Sequence, residues 1–205
     1  MGLADFISIP ECPFGRLTPS PLPLSVVARG LGVEAVPNYR VMDRSELGFL
    51  SEMMALQEVG VRRVVLVRGD PPSIGSPTDL DPVRAIRLIK EHGIRIRVGV
   101  ASQIKPSEAL RAKIEAGADF VVTQPIQSAE EIEGLIDFLG GIPVYAMVMP
   151  GIEELEASVL REMGITDVKR VDCRELMREL GRIPKVAGVI ISSPKGISRA
   201  IELLR

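Results

Sequence analysis

Short aliphatic runs recur along this chain, and stretches of helical periodicity separate them. FISI at 6–9, VEAVP at 33–37, RVVLVR at 63–68, IRIRVGV at 94–100, FVVTQ at 120–124, PVYAMV at 143–148 and GVIIS at 188–192 read as strands. The segments 44–58, 81–92, 107–116, 128–139, 153–163, 173–181 and 195–204 space their apolar residues as helices do, because a 3.6-residue repeat gathers positions three and four apart on one face. In 44–58 that stripe comprises Leu47, Leu50, Met54 and Val59. Gly60, Gly93, Gly117 and Gly164 fall just past four of the helices, where closing the last turn with positive φ is easiest for a residue without a Cβ. Strands apolar on both faces need cover on both faces, and a parallel sheet of right-handed βαβ units supplies it. The fold class is therefore α/β, a (β/α) barrel of the TIM type or a doubly wound sheet. No G-x-G-x-x-G follows any strand, which counts against the dinucleotide-binding version of the latter. The 205 residues suit one domain spanning 1–205. A complete barrel has eight strands, and seven are recognisable here.

Composition narrows the function. A net charge of −2, no Trp, two Tyr and five Phe offer neither the basic surface nor the stacking platforms that nucleic acids require. No apolar run approaches the ~18 residues of a membrane span, and MGLADFISIPE lacks a basic region before an apolar one, so it does not read as a signal peptide. A cytoplasmic location is expected. Cys12 and Cys173 are far apart and suit two unlinked thiols. His92 is the only histidine and suits a helix C-terminus. With so few soft ligands, zinc spacings and iron–sulfur clusters are excluded, no metal is expected, and a Ser-His-Asp triad would depend on His92 alone.

Chemistry in α/β folds gathers at strand carboxyl ends. Those ends carry Glu11, Asn38, Arg40, Arg68, Asp70, Ala101, Ser102, Gln103, Thr123, Gln124, Gln127, Met149, Ser192, Ser193 and Lys195. Amides, hydroxyls and two carboxylates suit holding a polar heterocycle better than hydrolysis. Within VVLVRGDPP at 64–72, a cation, a flexible glycine and a carboxylate terminate a strand, and two prolines stop its continuation. This reads either as a polar cap or as a ligand wall. Lys113 precedes a strand and reads either as solvated surface or as a phosphate partner reached by its long stem.

VVLVRGDPP, with LGVEAVPNYRVMDR upstream and AGADFVVTQPIQ downstream, closely resembles the methylenetetrahydrofolate reductase family of flavin enzymes. ADFISIPECPFGR is similar to that family's second strand and loop, IPVYAMVMPGI to its seventh strand, and GVIISSPKGISRAIELL to its eighth strand and last helix. The resemblance implies a TIM-type barrel that lacks the first strand–helix unit. It implies FAD at the strand ends, NADH or NADPH as electron donor, and a methylene-tetrahydrofolate or tetrahydropterin substrate. By motif it places Arg68, Gly69 and Asp70 along the flavin, with Asp70 tuning the ring. Asn38 and Ala101 would also touch the cofactor, Lys113 would meet its diphosphate, and Gln124 would hydrogen-bond the pterin.

Three departures accompany the resemblance. Asn38 stands where many members have histidine, and Ser102–Lys105 lacks an aromatic and a histidine that commonly clasp the cofactor. The strand carrying the family's general-acid glutamate has no counterpart, which leaves Glu11 as a substitute acid or as a loop carboxylate. An alternative is a non-catalytic or partner-dependent subunit. In it a second copy or another chain covers the open sheet edges and supplies the missing strand and acid. A third possibility is a flavin-free barrel that binds a phosphorylated metabolite through Lys113 or Lys195.

Overall fold

The computed structural model describes residues 2–194 and 196–205. It forms two compact units, one of residues 4–101 and 108–120, the other of 102–107 and 121–205 with the first residues of the chain. The chain is an α/β protein of the (β/α) TIM-barrel type with seven parallel strands in chain order.

The first unit runs β1 (Phe6–Ile9), α1 (Pro21–Gly30), β2 (Glu34–Arg40), α2 (Glu46–Glu58), β3 (Arg63–Val67), α3 (Pro82–Glu91), β4 (Arg97–Ser102) and α4 (Glu108–Glu115). Three of its helices start on short oxygen-bearing side chains. Ser20, Ser45 and Asp81 accept from the amides of Leu22, Gly48 and Arg84, satisfying donors that the first helical turn leaves unpaired. Pro21 and Pro82 occupy first-turn positions where no amide proton is needed. The strand partners Phe6 with Glu34, Asn38 with Val65, and Arg63 with Arg97 set the parallel register. Val64, Val65, Leu66, Val98 and Val100 are buried.

The second unit holds β5 (Phe120–Pro125), α5 (Glu133–Leu139), β6 (Val144–Val148), α6 (Ala157–Glu162), α7 (Cys173–Leu180), β7 (Val186–Ile191) and α8 (Ile197–Leu204). Val121 pairs with Val144, and Val144 with Val186. Short 3-10 turns at Ala129–Ile132 and Ile152–Glu154 occupy the starts of two segments expected to be wholly helical. No helix among the described residues is long and apolar enough to cross a membrane.

Two expectations need correction. The buried face of α2 is Phe49, Met53 and Leu56, whereas Leu47 and Met54 are exposed and Leu50 is only half-buried. The apolar stripe drawn through Leu47, Leu50 and Met54 is thus the wrong face of a helix that is apolar on more than one side. Strand β2 also runs past 37 through Asn38, Tyr39 and Arg40, which pair with β3. Local expectations hold where the cause is local. Gly60, Gly93, Gly117 and Gly164 all have positive φ, and His92 caps α3 with Nδ1 2.9 Å from the Leu88 carbonyl oxygen. Both cysteines are free thiols.

Candidate active site

At the carboxyl ends of β1, β2 and β3, three loops lock into one another. After β1, Cys12 and Phe14 adopt positive φ (40° and 55°) around the 3-10 turn Pro13–Gly15, a conformation that side chains other than glycine resist. Gly15 is required there. A Cβ on it would lie 2.1 Å from the Pro71 carbonyl oxygen in the loop after β3. The Ser73 amide and hydroxyl both donate to the Gly15 carbonyl, at 3.0 and 2.8 Å.

Two arginines from β2 and its loop tie the ends together. Arg40 is 2% exposed and donates from Nε to Asp43 Oδ2 at 2.5 Å, from Nη1 to the Cys12 carbonyl at 3.3 Å and from Nη2 to the Asp70 carbonyl at 2.6 Å. Arg44 donates from Nη2 to Glu11 Oε1 at 2.6 Å and from Nε to Glu52 Oε2 at 2.5 Å, and lies 4.6 Å over the Tyr39 ring. Burial opposes the charge on Arg44, but its hydrogen bonds and charge pairing with Glu11 and Glu52 outweigh that and hold its pKa above the ordinary value. Burial, then the Glu52 charge, pushes the neighbouring Tyr39 phenol above its ordinary range. A cavity of about 480 Å³ opens beside these groups, with Glu11, Arg44, Glu52, Leu17 and Ile74 in its wall.

The expected site residues divide by place. Asn38 lies in β2, where its Oδ1 accepts from Ser8 Oγ at 3.4 Å. Arg68 and Asp70 are exposed just past β3. Gly69 between them has φ +99°, and a Cβ on it would meet the Arg40 guanidinium carbon at 2.7 Å. Ala101 and Lys113 come together, with Lys113 Nζ donating to the Ala101 carbonyl at 3.0 Å. The lysine is half-buried, and burial lowers its pKa. No carboxylate pairs with it among the described residues. Gln124 is half-buried in β5, within the second unit.

Glu11 is committed elsewhere. Its Oε2 accepts from the Arg40 amide and from Arg44 Nη1, both at 2.9 Å, while Oε1 takes Arg44 Nη2. This is the arrangement of a structural ion pair, with both oxygens occupied. Gln127 is likewise occupied, since its amide bonds the Asp167 carbonyl and the Lys169 amide. Lys195 lies outside the described residues. The sequence reading overlooked Asp43, Arg44 and Glu52 as a unit with Arg40. Their signal was the charged tail of NYRVMDR directly after an apolar strand.

Comparison with known proteins identifies the family. The model of the family described as methylenetetrahydrofolate reductase matches residues 4–159. A 5,10-methylenetetrahydrofolate reductase from Pectobacterium carotovorum subsp. carotovorum is 26% identical over 138 residues, covering 63% of this chain and 46% of the relative. A probable methylenetetrahydrofolate reductase (NADPH) from Caenorhabditis elegans is 26% identical over 154 residues, 68% of this chain and 22% of its own. The chain thus spans about half the length of the first relative and about a fifth of the second. Among solved structures, an uncharacterised protein from Clostridium thermocellum that binds two copies of 5-methyl-5,6,7,8-tetrahydrofolic acid shares the fold. Its TM-score is 0.70 at 13% identity, over 98% of this chain and 82% of that one. With the family model covering most of its length, this chain belongs to the methylenetetrahydrofolate reductase family.

Proposed function

We propose that this chain is a methylenetetrahydrofolate reductase-type flavoprotein. It holds FAD at its strand ends and reduces a methylene-tetrahydrofolate or related tetrahydropterin, with NADH or NADPH as the electron source. The observation that carries the reading is the half-buried Lys113 ammonium against the Ala101 carbonyl, at the end of β4 in a chain of this family. A lysine partly removed from water, with one carbonyl acceptor and no carboxylate partner among the described residues, fits a diphosphate. When bound, the flavin supplies the hydride chemistry.

The chain's own residues bind and orient. Lys113 neutralises phosphate charge, and Arg68, exposed past β3, offers a second cation. Asp70 presents a carboxylate from a loop whose backbone is anchored, and Asn38 and Ala101 contribute polar contacts along the cofactor. Gln124 offers a donor and an acceptor on one amide, the pairing a pterin edge requires. The folate ligand of the Clostridium thermocellum neighbour supports a reduced folate as substrate. Orientation of the two ligands is the chain's main contribution to rate.

A second reading rests on Glu11. Because both its oxygens are engaged by arginines and a backbone amide, proton donation to the pterin falls to solvent or to another polypeptide. In the second case this chain is a partner-dependent subunit. Equilibrium titration of the purified protein with FAD, followed by visible absorbance and then by product analysis with methylenetetrahydrofolate, separates the readings. Flavin bound with turnover supports the first, flavin bound without turnover supports the second, and no flavin binding refutes both.

A further inference from the structure

We propose that Arg40 is a positioning residue whose buried guanidinium fixes the Asp70–Pro71 peptide, and through it the Asp70 carboxylate, relative to a bound flavin. The inference rests on the flavin reading above. Arg40 is among the largest fully buried side chains of the chain, and a charge is seldom sequestered this far unless its partners are fixed. Asp43 takes Nε and Nη2 at 2.5 and 3.2 Å, an orienting bidentate contact that fixes the guanidinium plane. The remaining contacts reach the loops on either side, the Cys12 carbonyl after β1 and the Asp70 carbonyl after β3. Past the strand, the Val41 and Met42 amides donate to the Val67 and Arg68 carbonyls, so the backbone of one loop runs beside the next.

Gly69 completes the device. Its φ of +99° turns the chain so that the guanidinium lies against its α-carbon, with no room for a Cβ. The result is an Asp70 whose main chain is anchored while its side chain stays exposed. The Arg40 cation also interacts with the Asp70 charge, after the larger effects of the Asp43 hydrogen bond and of burial. Lysine cannot substitute, because one ammonium cannot span Asp43, Cys12 and Asp70 together.

The test uses Arg40→Lys, Arg40→Met, Asp70→Asn and the Arg40→Met/Asp70→Asn double variant. Without flavin, exchange of the Ser73 amide, which donates to the Gly15 carbonyl in the neighbouring loop, is expected to accelerate by about tenfold or more in both Arg40 variants, as for loss of a hydrogen bond from a charged donor. Exchange in α3 is expected to stay unchanged. With FAD bound, Arg40→Met is expected to shift the flavin potential by about 30 mV, a tenfold change for a two-electron couple. The part of that shift carried by Asp70 is expected to disappear in the Asp70→Asn background, leaving a smaller one, whereas a merely structural role would move the potential equally in both. Unchanged exchange at Ser73, or a shift of the same size without Asp70, overturns the proposal. If the wild type binds no flavin, the functional reading fails and so does the flavin part of this one, while the exchange measurement still decides whether Arg40 holds the loop. Should Arg40→Met fail to fold, Gly69→Ala displaces the same guanidinium from the other side and is expected to speed Ser73 exchange likewise.

Discussion

Lys113 Nζ lies 3.0 Å from the Ala101 carbonyl oxygen, bringing a half-buried ammonium to the end of β4 from the helix that follows it. Burial depresses the pKa of this lysine, so the folded state disfavours the charge relative to the unfolded chain. Its linked stability is present above the unfolded value of 10.5 and is lost as pH falls through the lower folded value. Lys113→Met is therefore expected to melt higher than wild type at neutral pH, and the gap is expected to close as pH rises toward the unfolded pKa. The same variant is expected to lose FAD affinity, a stability gain at the expense of function. Thermal melts across pH, with FAD titrations beside them, check both.

Glu11 and Arg44 form a nearly enclosed pair, with side chains 8% and 12% exposed. Removing Glu11 leaves Arg44 with Glu52 as its remaining carboxylate and the Arg40 amide without its acceptor, at a cost of about 1–3 kcal/mol. Glu11→Ala is expected to lose stability of that order in urea unfolding, and Glu11→Gln less, since the amide still accepts from the Arg40 backbone. If Glu11 instead acts as the proton donor, Glu11→Gln abolishes turnover with its unfolding midpoint intact.

Gly99 in β4 meets the Phe120 ring so closely that a Cβ would fall 2.1 Å from Cε2. Gly99→Ala is expected to cost about 1–3 kcal/mol by overpacking. Phe120→Leu in the same chain is expected to recover part of that loss, a coupling visible in a double-mutant cycle.

Gly15 faces a backbone oxygen of Pro71, which cannot rotate aside as a side chain can. Gly15→Ala is expected to separate the loops after β1 and β3, adding about 1–2 kcal/mol for the left-handed backbone. Limited proteolysis is expected to show faster cleavage within 72–76, with the helices still protected.

What the sequence revealed of this molecule follows the range over which each feature is determined. The strand Phe6–Ile9 and the glycines after α2, α3, α4 and α6 are read directly from residues near them in the chain. The face of α2 is not, because Leu47 and Met54 are as apolar as Met53 and Leu56, and only tertiary packing selects between them. The end of β2 was hidden for a related reason. Asn38, Tyr39 and Arg40 look like loop residues, yet β3 pairs with their backbone and Asp43, Cys12 and Asp70 satisfy Arg40. Lys113 remained ambiguous on chemistry alone, and the family resemblance singled it out. Its contact with Ala101 spans 12 residues and requires the turn between β4 and α4. The Glu11–Arg44 pair spans 33 residues, so the charged tail after β2 does not by itself name Glu11 as the partner.

The central claim is that this chain holds a flavin that reduces a methylene-tetrahydropterin. Its most direct test is a single-turnover experiment. The FAD-loaded protein is reduced anaerobically and mixed with methylenetetrahydrofolate, while the visible flavin band is followed and the folate product identified. The expected result is return of the oxidised flavin band with formation of an equivalent amount of 5-methyltetrahydrofolate, and loss of both in Lys113→Met at the same FAD concentration. A protein that takes up no FAD, or whose reduced flavin is not reoxidised by the folate, contradicts it.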